Sequence, residues 1–317
     1  MNQAELRQSL DSYLAIKEAL GFKSQPTRIL LHDFLRFVES RGISEPLRAQ
    51  TAVDWACDAS STRGASGQVQ RLSLVRGFLS FLRAVEPETE VPDHKLLTGS
   101  RRPNPYLFTP AQVAELMNEA SRMKPTGSLR PHLWQALIGL LASTGLRVGE
   151  AIRLKVDDLK LEDDPPYLQV LETKYRKSRL VPLHPTTTAQ LRLYSEKRRQ
   201  LGYAALSDHF FISEWGNPLD RTALWRTFKR MTRRLGMHPT DGRRRPTLHS
   251  LRHGFAVERL RKWYQAGADV HAMLPHLSVY LGHLRPQDSY WYLTATPELL
   301  TAAAERFRQY AETGGDR

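Results

Sequence analysis

Five short stretches of this sequence carry side chains suited to work on a phosphate. In chain order they are TGLRVGE with Arg147, two β-prone runs joined by the basic turn KYRK with Lys174 and Lys177, LHSLRH with His249 and Arg252, YLGHL with His283, and YWYL with Tyr290, Trp291 and Tyr292. A guanidinium offers two parallel N–H bonds to non-bridging phosphate oxygens and stays charged at any working pH. A lysine whose pKa is lowered beside other cations can hand a proton to a departing oxygen, and a neutral imidazole holds one donor and one acceptor. A phenol titrates near pH ~10, so a tyrosine becomes a competent nucleophile only among bases and cations. Such groups could open a phosphodiester without a metal, because fixed positive donors match the charge of the transition state. Singly each motif is weak: an H-x-x-R tetrapeptide on a helix merely places two side chains on one face. The ordered set is far more specific.

The elements that must position these residues are mostly helical. From residue 1 to about 95, apolar residues recur at helical spacing (Leu10, Tyr13, Leu14; Leu30, Leu31, Phe34, Leu35, Val38; Val69, Leu72, Val75, Phe78, Leu79, Leu82), which predicts a small helical bundle. Residues 96–106 lie in a Pro-, Gly- and Arg-containing stretch that breaks every period around it and reads as a linker. A second domain, 107–317, follows. It opens on TPAQVAEL, where Thr109 can cap, Pro110 suits the first turn and Gln112 completes a capping box. HLWQALIGLLASTG predicts an apolar helix stopped by Gly145, and RVGEAIRL a further helix, with Arg147 at the turn between them. YLQVLET and SRLVPL predict a β-hairpin around KYRK, after which the pattern returns to helix. Near the end, Thr296 and Pro297 open an amphipathic helix over 297–312. The expected class is mainly α: an N-terminal helical bundle, then a mixed, mostly helical domain with a small antiparallel sheet.

Bulk properties narrow the partner. The 317 residues carry a formal net charge of +13, with 41% hydrophobic and 25% charged residues. An excess of Lys and Arg points to a polyanion, nucleic acid before an acidic membrane, since clustered cations release counterions from a phosphate backbone. No apolar run reaches membrane-spanning length, and MNQAELRQSLDSYLAIKEAL lacks a secretory pattern, so a cytoplasmic location is expected. The single cysteine, Cys57, allows neither an internal disulfide nor a cysteine-based zinc site. The runs KYRKSR, RTFKRMTRRLG and DGRRRP lie between the candidate site residues, where they could line a nucleic acid without reading its bases.

The five stretches, in this order, resemble the tyrosine recombinase (phage integrase) family across essentially the whole second domain. TGLRVGEAIRL and LRHGFA are near-verbatim versions of its two most specific motifs. The N-terminal bundle is similar to the family's SAM-like core-binding domain, a clamp on DNA. The resemblance implies Arg147, Lys174, His249, Arg252, His283 and Tyr292 as the catalytic set. The family's lysine opens the hairpin turn, which favours Lys174 over Lys177, although flanking glycines usual there are missing. The tyrosine stands nine positions after the last histidine, which selects Tyr292 and leaves Tyr290 and Trp291 as packing residues. The implied reaction leaves a 3′-phosphotyrosine and a free 5′-hydroxyl, with no cofactor, ATP or metal. It also implies a homotetramer on DNA, joined through the 297–312 helix. Alternatives are a type IB topoisomerase-like DNA-relaxing enzyme, or a DNA-binding protein that keeps the fold without catalysis. One departure is VHAMLPHLSVY, longer than the usual connection and interrupted by Pro275; His271 and His276 within it lack partners for a metal site. The longer segment resembles integrases of transposons and similar mobile elements.

Overall fold

The computed structural model of the chain describes residues 2–22, 25–43, 46–58, 64–99, 104–171, 178–239, 244–283, 285 and 287–294, of 287, 288, 291 and 294 the backbone alone, and positions 301, 304, 305 and 308. It divides into two compact units, Met1–Arg102 and Pro103–Arg317.

The first unit is helical: α1 (Gln3–Ala19), α2 (Gln25–Ser40), α3 (Ala49–Cys57) and α4 (Ala65–Leu82). Asn2 starts α1 by a reciprocal cap, its side chain accepting from the Glu5 N–H at 2.9 Å while the Glu5 carboxylate accepts from the Asn2 N–H at 2.8 Å. The predicted apolar stripes face one another, burying Leu10, Leu14, Leu31, Phe34, Val75 and Phe78. Arg71 on α4 is buried beneath this layer, its guanidinium 3.8 Å from the Trp55 ring centroid and 2.9 Å from the Trp55 carbonyl. Stacking and a carbonyl acceptor together replace the water this cation loses, and they fasten α4 to α3.

The second unit begins where the capping box was expected: Thr109 Oγ1 accepts from the Gln112 N–H at 3.2 Å, and Gln112 Oε1 accepts from the Thr109 N–H at 3.1 Å. That cap starts α5 (Pro110–Ser121), which packs on α6 (Leu129–Thr144). The apolar α6 is the centre of the unit, with α8 (Pro185–Gln200) and α10 (Leu248–Gln265) against it as well. Near-complete burial explains why its sequence is hydrophobic on most sides. RVGEAIRL yields only a single turn, α7 (Val148–Ala151), before a 3-10 turn at Val156–Asp158 leads into the sheet.

The sheet has the antiparallel order β1 (Leu159–Lys160), β2 (Tyr167–Val170), β3 (Arg179–Pro182), with Leu168 opposite both Leu159 and Val181. Leu168, Val170 and Val181 point into the core while Leu180 is exposed, the period of two expected of a sheet with one wet face. The β2–β3 pairing realises the predicted hairpin. Its turn, with Lys174 and Lys177, lies outside the described residues. The remaining helices are α9 (Arg221–Arg234), α11 (Val270–Leu281) and α12 (Gln287–Thr294). Most of the expected 297–312 helix also falls outside the described residues. Among the described residues, no helix is long and apolar enough to cross a membrane. The mainly α class with a small antiparallel sheet holds.

Two local expectations are corrected. Pro275 does not interrupt its segment: α11 runs through it. Asp269 caps the helix by accepting from the His271 and Ala272 N–H groups, and Val270, Leu274, Leu277 and Leu281 bury one face, so packing outweighs the single hydrogen bond that proline removes. Tyr290 is not a packing residue. It is 43% exposed, because α12 turns Ser289 and Tyr292 inward, three positions apart on one face, and Tyr290 away from it. The Trp291 side chain lies outside the described residues.

Candidate active site around the Gly282 turn

The site is built from helix ends. At the end of α6, Gly145 adopts φ 64°, and a Cβ there would sit 2.5 Å from the Phe255 ring, so glycine is required both by conformation and by space. The turn aims Arg147, which takes the N-cap position of α7. Its Nη1 donates to Glu150 Oε1 at 2.9 Å and its backbone N–H to Glu150 Oε2 at 3.0 Å, while Nη2 donates to the Gly282 carbonyl at 2.8 Å.

Arg252, in the second turn of α10, is 1% exposed and bridges two other helix ends. Its Nη1 donates to the Gly145 carbonyl at 2.7 Å and its Nη2 to the Leu281 carbonyl at 2.8 Å. The last carbonyls of a helix have no partner of their own, and here a guanidinium supplies it. Burial foremost, then the charge of Arg147, lowers the Arg252 pKa to about 10; Tyr292 and Glu150 act in the opposite sense. The group remains charged at neutral pH.

Both arginines therefore hold the chain at Leu281–Gly282, immediately before His283. Gly282 has φ 68°, and a Cβ on it would meet Arg179 Nη1 at 2.9 Å and Arg147 Nη1 at 3.2 Å. Past this turn, His283 Nδ1 lies 2.7 Å from Ser289 Oγ, and Ser289 is completely buried. Tyr292, one turn along α12 from Ser289, is 3% exposed, with its ring nearly parallel to that of His283 at 6.2 Å and tilted against His253 at 5.6 Å. His253 in turn meets the exposed His249 edge-on at 4.6 Å.

Of the six residues singled out from sequence, Arg147, Arg252, His283 and Tyr292 thus gather around one turn. His249 joins them through His253, and Lys174 lies outside the described residues. Four neighbours went unassigned. Glu150 is 4% exposed and accepts from Arg147 and from Arg179, whose Nη2 reaches Oε2 at 2.8 Å and Nη1 reaches Oε1 at 3.3 Å. Burial alone would push the Glu150 carboxyl up; the hydrogen bonds and charge of Arg179, then those of Arg147, more than offset it and hold the group below the usual carboxylate range. The i, i+3 spacing of Arg147 and Glu150 was a usable signal for this pair. His253, at i+4 from His249, and Ser289, at i−3 from Tyr292, had similar ones. Arg179 had none.

Arg147 and Arg179 share the Glu150 carboxylate, and Arg252 stands close enough to feel the charge of all three, so positive charge is in excess here among the described residues, as suits an anion. Donors in such an arrangement could stabilise the charge of a phosphoryl group under attack.

Comparison with known proteins agrees with this chemistry. Residues 107–298 match the Phage integrase family. A Sinorhizobium fredii protein named as an integrase/recombinase, y4rB, is 37% identical over 96% of this chain and 97% of its own length. The tyrosine recombinase XerD of Listeria innocua is 29% identical over 77% of this chain and 79% of its own. Among solved structures, XerH recombinase bound to its palindromic difH substrate superposes with a TM-score of 0.67 at 18% identity, covering 89% of this chain and 78% of that one. The Tn1549 transposon integrase in complex with transposon right end DNA gives 0.67 at 17% identity, covering 96% and 99%. Their fold is the fold of this chain. The extent of the family match and of the y4rB relationship places the chain in the phage integrase family, the tyrosine recombinases, enzymes that cut and rejoin DNA strands at specific sites.

Proposed function

We propose that this recombinase opens a DNA strand by attack of the Tyr292 hydroxyl on phosphorus, with Arg147, Arg252, His249, His283 and Lys174 as the other catalytic groups. The Tyr292 oxygen bonds to phosphorus and the bond to the 5′-oxygen breaks, leaving a 3′-phosphotyrosine. His249 accepts the phenol proton or binds the phosphate, Lys174 protonates the departing 5′-oxygen, and the arginines and His283 hydrogen-bond the non-bridging oxygens. The bond energy is kept in the phosphotyrosine, so religation by the freed 5′-hydroxyl reverses the step without ATP or a metal.

The observation that carries this reading is the grip of Arg147 and Arg252 on the Leu281–Gly282 turn, with His283 and the Tyr292 ring beside it. At 3% exposure, Tyr292 must leave its packing to reach phosphorus, so α12 shifts as DNA binds. Duplex DNA is the polyanion that the charge of +13 calls for, and the exposed Arg226, Arg230, Arg233 and Arg234 on α9 give a surface for its backbone. Residues 1–95 act as a second clamp on the duplex, joined by 96–106 to the catalytic 107–317. The 297–312 segment docks on a neighbouring copy to make a tetramer, and the protein works in the cytoplasm on DNA of a mobile element, like the transposon integrase it resembles in fold.

The test uses a nicked duplex built from the DNA flanking the gene, so that the cleaved strand's short end diffuses away. An SDS-resistant protein–DNA adduct should accumulate with the native protein and be lost in Tyr292→Phe. An adduct that persists in that variant would overturn the assignment of the nucleophile. Deleting 297–317 should leave DNA binding but abolish tetramers on DNA; unchanged assembly would reject the docking role.

A further inference from the structure

Arg179 lies in the hairpin stretch but is not among the six residues the resemblance assigns to catalysis. It follows the hairpin turn at the start of β3, its side chain is 12% exposed, and both its Nη atoms are spent on Glu150. Arg147, by contrast, keeps about a third of its side chain exposed, at 34%. The two arginines divide one carboxylate: Oε1 accepts from both Nη1 atoms, and Oε2 accepts from Arg179 Nη2 and the Arg147 backbone.

That division matters because a carboxylate and a phosphate compete for the same guanidinium. A buried Glu150 with Arg147 as its sole cation would bind it in the manner of a two-pronged ion pair, and a phosphate could then recruit Arg147 only by stripping Glu150 of its counter-charge. With Arg179 in place, the charge of Glu150 is matched from the other side. Glu150 can orient Arg147 through one oxygen and a backbone bond without neutralising it. Arg179 Nη1 and Arg147 Nη1 both lie against the space a Cβ on Gly282 would fill, which places both groups at the same turn.

We propose that Arg179 is a positioning residue for strand cleavage: it serves as the dedicated counter-ion of Glu150 and so leaves the Arg147 guanidinium available to the scissile phosphate. The inference rests on the reading of Arg147 as a phosphate ligand. Arg179 itself touches no DNA in this role. It acts through Glu150, and its importance must vanish when Glu150 carries no charge.

A double-mutant cycle in single-turnover cleavage of the nicked duplex, at saturating full-length protein, tests this. Arg179→Gln should slow cleavage by about tenfold or more, while Arg179→Lys, which keeps the charge, retains more activity than Arg179→Gln. In the Glu150→Gln background, adding Arg179→Gln should change the rate by less than about twofold. This second comparison stands even if Arg179→Gln alone fails to fold, since the double variant removes the charge of both partners of the pair together. A tenfold loss on removing Arg179 from Glu150→Gln would overturn the inference, as would native cleavage by a folded Arg179→Gln. The underlying reading fails separately, if Arg147→Gln cleaves at the native rate.

Discussion

Arg252 reaches from α10 to the end of α11, with its Nη2 2.8 Å from the carbonyl of Leu281. Its other terminal nitrogen holds Gly145, so one buried cation braces two helix ends against each other. Arg252→Ala should therefore lower stability as well as activity, by about 3 kcal/mol, because two buried carbonyls lose their partner at once. Arg252→Lys keeps a charge that cannot span both carbonyls and should cost about half as much. Urea unfolding measures the stability and adduct formation the chemistry; a variant lacking Arg252 with native stability would refute the bracing role.

Ser289 and His283 make a second pair, at 2.7 Å. With Nδ1 engaged by the serine, any hydrogen bond from His283 to a phosphate must come from Nε2. Ser289→Ala should slow cleavage about three- to tenfold, the worth of one hydrogen bond, and Ser289→Thr should restore most of it. Equal rates for the alanine and threonine variants would show that the hydroxyl has no part in presenting the imidazole.

Gly145 gives a purely structural prediction. At φ 64°, with the Phe255 ring 2.5 Å from where a Cβ would be, Gly145→Ala meets both backbone strain and a clash. A loss of about 1–3 kcal/mol in unfolding free energy is expected. Removing the ring as well, in Gly145→Ala/Phe255→Ala, should not recover it fully, since the strain stays and a cavity is added.

Acid should weaken the fold through Glu150. Its carboxyl titrates below the ordinary value of 4.5 in the folded chain, so it contributes stability above that pH and loses it as pH falls through the folded value. Urea midpoints measured from pH ~7 down to ~3 should drop more steeply for the native protein than for Glu150→Gln. Parallel curves would count against a depressed carboxyl.

DNA binding should fall steeply with salt, and the exposed arginines of α9 should carry part of the slope. Changing Arg230 and Arg233 to Gln should reduce the log–log slope by about one for each phosphate that these side chains neutralise. An unchanged slope would place the DNA backbone elsewhere on the protein.

Much of this site was legible because its parts are local. Arg147 with Gly145, Arg252 with His249, and His283 with Gly282 each sit in a short motif whose glycine or helical spacing states its own geometry. Tyr292 was selected by its distance from His283, although the facing of its neighbours was not: the same rings read alike until the phase of α12 sets Tyr290 outward. Arg179 stayed hidden because its partner Glu150 lies 29 positions away, and only the folding of β3 against the α6–α7 turn brings them together. A strand of two residues such as β1 shows no alternation to detect, and Pro275 misled because a helix with one well-buried face tolerates a missing N–H.

That Arg252 is a tie-beam of the protein has a practical bearing on how an inert form of the enzyme should be made. Under the proposed roles, replacing it should silence the reaction and loosen the scaffold together, so defects in assembly would be mistaken for defects in chemistry. Tyr292→Phe subtracts one oxygen and leaves the masonry standing, which makes it the cleaner decoy for trapping the protein on its target.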